Sequence, residues 1–191
     1  MKDERADEAL MRAFRDGESG AFDVLYARHR APVFRYLARQ LRDTAAAEDL
    51  YQDVWMRVIN ARARYLETAK FTTWLYTIAH HRLMDYFRAA RLREAGRVSF
   101  GTTQDNLPIV EMEDSAETRP EQRLAREELA GRLLAAIADL PAAQREAFLL
   151  QQEAGLSIED IGKITGVGPE TAKSRLRYAL GKLRRALQEE S

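Results

Sequence analysis

The sequence predicts an all-α protein in which a flexible acidic linker joins two helical domains, the second of them a helix-turn-helix. Neither glycine nor proline occurs from Val33 to Ala95, and so long an uninterrupted stretch favours long helices. The apolar periodicity is then lost and later returns with glycines at short intervals, as expected for short helices joined by a tight turn. The predicted boundaries are an N-terminal extension at 1–20, a first domain at 21–94, the linker at 95–121 and a second domain at 122–191.

Composition limits the classes of protein to which the chain can belong. Its 191 residues are 46% hydrophobic and 31% charged, with a formal net charge of zero, so only the distribution of charge can indicate nucleic-acid binding. The absence of cysteine excludes disulfides, a thiol nucleophile and Cys-ligated metals. The N-terminus lacks the apolar core of a signal peptide, and no apolar run approaches ~18 residues. We therefore expect a cytoplasmic protein without a cofactor.

The first domain is predicted to contain helices at about 20–30, 32–41, 45–63 and 71–93, after one or two amphipathic helical turns near Leu10. Asp43 or Thr44 can cap the third of these helices. Its buried stripe recurs at helical spacing and consists of Ala47, Leu50, Tyr51, Val54 and Val58.

An acidic row lies beside that stripe, and it leaves two interpretations open. The row consists of Glu48, Asp49, Gln52 and Asp53, next to Trp55. One interpretation is a solvated acidic face with a broad core contact. The other is an acidic and aromatic surface that docks on a basic protein partner.

The fourth predicted helix begins aromatic and ends basic, and it follows a basic, tyrosine-containing loop at 60–70. Its acidic residue Asp85 stands among the arginines Arg82, Arg88, Arg91 and Arg93. One of its faces carries donors, planar rings and positive charge, which suits hydrogen bonding to bases or phosphates. Adjacent His80 and His81 point about 100° apart on a helix, so they cannot chelate one ion together, and no metal site is expected.

The linker contains six acidic residues and one basic residue between Asp105 and Glu121, which indicates an extended acidic segment. A passive spacer would have the same composition.

The second domain is predicted to begin with helices at about 121–140 and 142–153, the latter ending at Gly155. Ser157 to Asp160 has the pattern of a capping box. Gly162 is predicted to let another helix approach closely, and Gly166 can adopt the positive φ of a tight turn. The last helix starts at Pro169 and carries six basic residues and one acid up to Leu187. Its predicted apolar stripe is Leu176, Leu180, Leu183 and Leu187. These features indicate a helix-turn-helix, although a helical hairpin with a solvated basic face would share many of them.

These segments resemble, in type and order, the bacterial sigma-70 family of RNA polymerase initiation factors, in its small extracytoplasmic-function class. The resemblance covers about residues 20–93 and 122–188, and its most specific parts are AEDLYQD at 47–53 and the final helix-turn-helix. It implies binding to core RNA polymerase, mainly to the β′ subunit and also to β. It further implies promoter DNA as a second partner, an anti-sigma protein as a third, and a stress or envelope regulon.

The resemblance also implies roles for individual residues. The polymerase would be contacted by Glu48, Asp49, Leu50, Gln52, Asp53 and Trp55. The −10 element, including a base flipped from the non-template strand, would be bound by Tyr65, Lys70, Phe71, Trp74, Thr77, His80, His81, Arg82, Asp85, Arg88 and Arg91. The −35 element would be bound by the helix-turn-helix from Ser157 to Leu176 and by the last helix beyond it. The contacting residues would be Thr171, Lys173, Ser174, Arg175, Arg177, Tyr178 and Lys182. The linker would lie along the RNA path of the polymerase.

Two other classes of function were compared with this one. A helix-turn-helix regulator with an N-terminal sensor or dimerisation domain would share the basic last helix, but it needs no second DNA-contacting element. An enzyme is not expected, because the sequence contains no phosphate-binding glycine loop, paired catalytic carboxylates or nucleophile elbow.

Overall fold

The computed structural model describes residues 3–41, 43–95 and 120–188, and these residues form helices without a strand. The helices are α1 (Asp7–Arg15), α2 (Ser19–Gln40), α3 (Thr44–Ala61), α4 (Phe71–Ala95), α5 (Pro120–Ala138), α6 (Ala142–Ala154), α7 (Ile158–Thr165) and α8 (Pro169–Gln188), with one 3-10 turn, Arg62–Arg64. The all-α prediction is confirmed. Most of the predicted linker lies outside the described residues.

α2 is one continuous helix, so the prediction of two helices divided near Pro32 was wrong. Pro32 lies inside α2 and lacks the N–H of a normal helical bond, a defect that costs about 3 kcal/mol in a helix interior. Leu25 precedes the proline and Val33 and Leu37 follow it, and all three are fully buried. Burial on both sides of the proline therefore keeps the two segments on one axis.

The predicted helix ends are confirmed where they depend on local hydrogen bonds. The Asp43 carboxylate accepts from the N–H groups of Ala45 and Ala46, at 2.9 and 3.3 Å. At the start of α7, the Ser157 hydroxyl oxygen accepts from the N–H of Asp160 at 3.1 Å. These side chains satisfy amide groups that a helix start leaves without partners.

The segment at 1–20 contributes to the core of the first half. Leu10 and Met11 of α1 are fully buried, and α1 packs against α2 and α4. The Asp7 carboxylate accepts a hydrogen bond from the Arg28 guanidinium at 2.7 Å, and its other oxygen lies 2.6 Å from Nε2 of His29, within hydrogen-bonding distance. Burial alone would raise the pKa of Asp7, but these two partners outweigh burial and lower it below its ordinary value. α1 is thus held by both apolar and ionic contacts.

The two halves of the chain pack against each other, with α6 on α2 and α7 on α4. The Glu153 carboxylate accepts from Arg35 at 2.8 Å and also pairs with Arg39. The Glu146 carboxylate accepts from the Tyr36 hydroxyl at 3.3 Å. Two carboxylates of α6 therefore meet polar groups of α2 across the contact between the halves.

Candidate functional site

The acidic face of α3 is exposed, but its two apolar members are not. Glu48, Asp49, Gln52 and Asp53 are open to solvent. Leu50 and Trp55 are only 4% and 5% exposed, which corrects their assignment to a contact surface. The Trp55 ring packs edge-on against Phe22 and Tyr26, at centroid distances of 5.9 and 4.9 Å. The predicted contact residues that a partner can reach on α3 are therefore polar, and Met56 of the same helix is also 54% exposed.

α3 and α4 form an open groove between them, lined by charges of both signs. Asp49 and Asp53 line it from α3, and Arg82, Asp85 and Arg93 line it from α4. Arg82 pairs with Asp53 across the groove and with Asp85 on its own helix, at 3.4 Å to the latter. The predicted polymerase and −10 surfaces thus share one edge, where their opposite charges are partly neutralised.

The loop before α4 presents fewer side chains than the sequence suggested. Tyr65 and Phe71 were predicted to contact DNA, but both are buried and lie edge-on with ring centroids 6.5 Å apart. The pKa of Tyr65 is raised to about 12, mainly because the side chain is buried and secondly because the Glu8 carboxylate lies nearby. Aromatic residues in a short loop reduce their contact with water by packing inward. Lys70 is exposed and remains a candidate for DNA contact.

His80 and His81 of α4 have different environments. His80 is buried, and its Nδ1 lies 2.6 Å from the Glu146 carboxylate of α6, so its predicted contact with DNA is wrong for this arrangement of the chain. His81 is exposed. Thr77 donates its hydroxyl to the Thr73 carbonyl at 2.7 Å. The accessible cations of α4 are Arg88, Arg91 and Arg93.

α8 presents a polar face outward and a narrow apolar face inward. Ala172, Leu176, Ala179 and Leu183 are buried, whereas Leu180, predicted to join this stripe, is exposed because alanine at 179 faces the core instead. The accessible residues predicted to contact the −35 element are Thr171, Lys173, Arg177, Tyr178 and Lys182, with Ser174 and Arg175 partly covered. The guanidinium carbon of Arg177 lies 5.1 Å from the centroid of the Tyr178 ring, which restrains this arginine while it stays exposed.

The turn between α7 and α8 depends on two glycines. Gly166 ends α7 with φ of 68°, which glycine adopts without strain. At Gly162, an added Cβ would lie 2.8 Å from the Val167 carbonyl oxygen. The sequence predicted that another helix approaches Gly162 closely, but the nearest group in the structure is the backbone of the turn that leads into α8.

Sequence reasoning missed Glu146 and Glu153 of α6, which meet the first half of the chain. A signal was present, because positions 146, 149, 150 and 153 share one face of a helix. Leu149 and Leu150 mark that face as buried, so two carboxylates on it require polar partners from elsewhere.

No described helix combines the length and apolar character needed to cross a membrane. Within the described residues, no group of three or more His, Asp or Glu side chains has an arrangement suited to hold a metal ion.

A basic, exposed helix that follows a glycine turn is typical of helix-turn-helix DNA-binding proteins. Comparison with known families makes this class specific. A model of Sigma-70 region 2 matches residues 25–93, and a model of Sigma-70 region 4 matches residues 130–183.

The relatives cover almost the whole chain. The RNA polymerase sigma factor CarQ of Myxococcus xanthus is 35% identical over 94% of this chain and 96% of its own. The ECF RNA polymerase sigma factor SigL of Mycobacterium tuberculosis is 31% identical over 96% of this chain and 92% of its own. The chain therefore belongs to the sigma-70 family of RNA polymerase sigma factors, in the extracytoplasmic-function class.

Solved structures share the fold. The sigma factor RpoE of Bartonella quintana, in complex with the anti-sigma factor NepR, aligns with a TM-score of 0.66 at 21% identity, over 89% of this chain and 98% of that one. CnrH, in complex with the cytosolic domain of CnrY, aligns with a TM-score of 0.65 at 21% identity, over 98% and 100% of the two chains.

Proposed function

We propose that this sigma factor binds core RNA polymerase and directs it to promoters, where it recognises two elements and supports strand opening. The observation that carries the proposal is the exposed row on α8, in which Lys173, Arg177 and Lys182 face solvent while the opposite side of the helix is buried. A helix of this kind, presented by a preceding turn, fits the major groove of DNA. The acidic face of α3 then serves the polymerase.

The polymerase contact is assigned to the polar part of α3, and its partner is the β′ subunit. Glu48, Asp49, Gln52 and Asp53 form a continuous exposed row, in which Asp53 also pairs with Arg82 of α4. Charges of one sign on such a row favour a basic partner surface and steer the encounter with it. Leu50 and Trp55 pack into the core on the buried side of α3 and do not touch the partner.

Replacement of Asp53 by arginine tests this surface, and we expect it to lower the affinity for core polymerase at least tenfold. The Asp53 side chain is 54% exposed, so arginine can be accommodated, but it reverses one charge of the row and stands beside Arg82. The measurement is competition for core polymerase, with circular dichroism to verify the helical content. Asp23→Arg, which makes the same change on an exposed position of α2, is the matched control. Equal core affinity in Asp53→Arg and Asp23→Arg would remove this row from the interface.

The −10 element is assigned to the loop at 62–70 and the outer side of α4. Lys70, His81, Arg88 and Arg91 are exposed there, and Trp74 and Thr77 are partly exposed. Capture of a flipped base costs a few kcal/mol of lost stacking, so this surface must supply compensating contacts. Arg82 and Asp85 are paired with each other, and we assign them to shaping the groove edge.

The −35 element is assigned to α8, and Arg177→Ala tests whether it reads a base. We expect a loss of about 1–3 kcal/mol at one base pair if the Arg177 contact is bidentate. The measurement is binding to a set of −35 sequences in which each base pair is changed in turn. Arg185→Ala, an exposed position further along α8, is the control. A loss of the same size on every sequence would show that Arg177 touches only phosphate.

Regulation is proposed to follow from a protein partner. Both solved structures described above are complexes with a second protein, and RpoE is paired there with an anti-sigma factor. We propose that an anti-sigma protein holds this chain inactive in the cytoplasm, and that its release activates a stress or envelope regulon. The acidic segment at 95–121 would occupy the RNA path of the polymerase until the transcript displaces it.

Transcription from a purified system decides between this function and that of a conventional regulator. With core polymerase and a genomic library as template, we expect the chain to produce defined transcripts whose start sites share two upstream motifs. Specific DNA binding without core polymerase, together with no transcripts from this mixture, would instead identify a helix-turn-helix regulator.

A further inference from the structure

α1 runs beside the loop that precedes α4 and contacts it along its length. The Arg62 guanidinium lies over the Phe14 ring, 5.4 Å from its centroid, at the start of the loop. Arg12 pairs with Glu67 in the middle of the loop. At its end, the Glu8 carboxylate accepts a hydrogen bond from the N–H of Phe71 at 2.8 Å. Three contacts from one short helix therefore restrain the start, the middle and the end of this loop.

The contact of Glu8 has a particular consequence for α4. Phe71 is the first residue of α4, and its N–H is one of the groups that a helix start leaves without an intrahelical partner. Such groups are normally capped by a side chain just before the helix. Here the cap comes from α1, 63 residues earlier in the chain. The start of α4 is therefore held by α1 as well as by its own backbone hydrogen bond from Trp74 to Lys70.

A small cleft opens where these elements meet. Glu8 forms its wall on α1, and Glu67, Thr68, Ala69 and Lys70 form its wall on the loop. The loop residues of this cleft are exposed, so the cleft is open to solvent. The match to Sigma-70 region 2 begins at residue 25, beyond the end of α1.

We propose that α1 is part of the element that recognises single-stranded promoter DNA, and that Glu8 is a positioning residue for the loop that receives the flipped base. The proposal rests on the assignment of the loop at 62–70 to the −10 element. The Glu8 carboxylate fixes the end of the loop and the first turn of α4 relative to each other, which sets the width of the cleft. Arg12 performs the same task in the middle of the loop.

The test compares Glu8→Ala with Glu8→Gln in the holoenzyme. The probe is a single-stranded oligonucleotide with the non-template −10 sequence. Its positions are first substituted one at a time to find the one at which substitution weakens binding to the wild-type holoenzyme most. The oligonucleotide is then made with each of the four bases at that position. Discrimination among bases is measured as the affinity for the oligonucleotide with the preferred base divided by the mean affinity for the other three. We expect Glu8→Ala to reduce this ratio about fivefold, which is the effect when the whole stability cost of a lost cap acts on the position of the loop. Glu8→Gln should keep most of the ratio, because its amide oxygen can still accept from Phe71.

Two further variants separate positioning from folding. Arg12→Ala removes only an exposed ion pair, so it should leave the melting temperature close to that of the wild type and still reduce the ratio, by less than Glu8→Ala. Glu4→Ala removes an exposed carboxylate ahead of α1 and should leave both quantities unchanged.

The outcomes are distinguishable. If Glu8→Ala and Arg12→Ala weaken binding to all four oligonucleotides equally, or not at all, α1 does not position the loop and the inference is wrong. If the wild-type holoenzyme itself does not discriminate among bases at any position of the oligonucleotide, the assignment of the loop to base capture fails, and the inference fails with it.

Discussion

Replacement of Gly162 by alanine is expected to displace α8 relative to α7 and to weaken binding to the −35 element. The new methyl group would lie 2.8 Å from the Val167 carbonyl oxygen, and this obstacle is backbone rather than a flexible side chain. The same turn holds the hydrogen bond from the Val167 N–H to the Gly162 carbonyl at 2.9 Å. Relief of the overlap must move the start of α8. We expect a loss of about 1–3 kcal/mol in the free energy of unfolding.

Gly181→Ala provides the matched control, because it makes the same chemical change with the opposite expected sign. Gly181 lies within α8, and nothing would contact a Cβ there within 4 Å. Alanine is favoured over glycine in a helix interior by about 0.5–1 kcal/mol. Urea unfolding and binding to a −35 duplex measure both variants. Equal stability of the two variants would contradict the close approach at Gly162.

Replacement of Glu153 by arginine is expected to separate the two halves of the chain while each half stays folded. The Glu153 side chain is 5% exposed and lies between Arg35 and Arg39 of α2. Arginine would place a third cation there and remove the carboxylate that compensates the other two. Removing one partner of a fully buried ion pair costs about 3–5 kcal/mol. Solvent reduces this cost here because Arg35 and Arg39 are 30% and 24% exposed, but reversing the charge adds repulsion. Because these partners belong to the other half, the cost falls on the contact between the halves.

Small-angle scattering measures this separation as an increase in the radius of gyration, and circular dichroism checks that the helical content is retained. Gln152→Arg, at the neighbouring exposed position, is the control and should leave the radius unchanged. A compact Glu153→Arg variant with normal helical content would show that this ion-pair cluster does not hold the halves together. The separated form would also expose His80, which Glu146 covers in the packed arrangement.

Features governed by local chemistry could be predicted from the sequence. The caps at Asp43 and Ser157 and the glycine-ended helices α6 and α7 were all predicted, because a cap or a left-handed glycine acts within a few residues. The basic face of α8 was predicted for the same reason, since charges at helical spacing stay together on one side of the helix whatever surrounds it.

The accessibility of aromatic residues could not be predicted in this way. Trp55 stands beside the acidic row in the sequence, and the family resemblance assigned Tyr65 and Phe71 to DNA, yet all three are buried. An aromatic ring has the same appearance in a sequence whether it packs inward or faces a partner. The decision depends on neighbouring rings, such as Phe22 and Tyr26 against Trp55, that come from other helices.

The sequence by itself determined the helical class, the helix-turn-helix and the signs of the exposed rows on α3 and α8, because each depends on periodicity and on neighbours within a few positions. Only the tertiary structure decided that α2 continues through Pro32, that Glu8 caps α4, and that Glu146 and Glu153 join the two halves. These features share one physical reason. Each depends on the free energy of a contact between residues far apart in the chain, and a pattern within one helix does not specify the partner that another helix supplies.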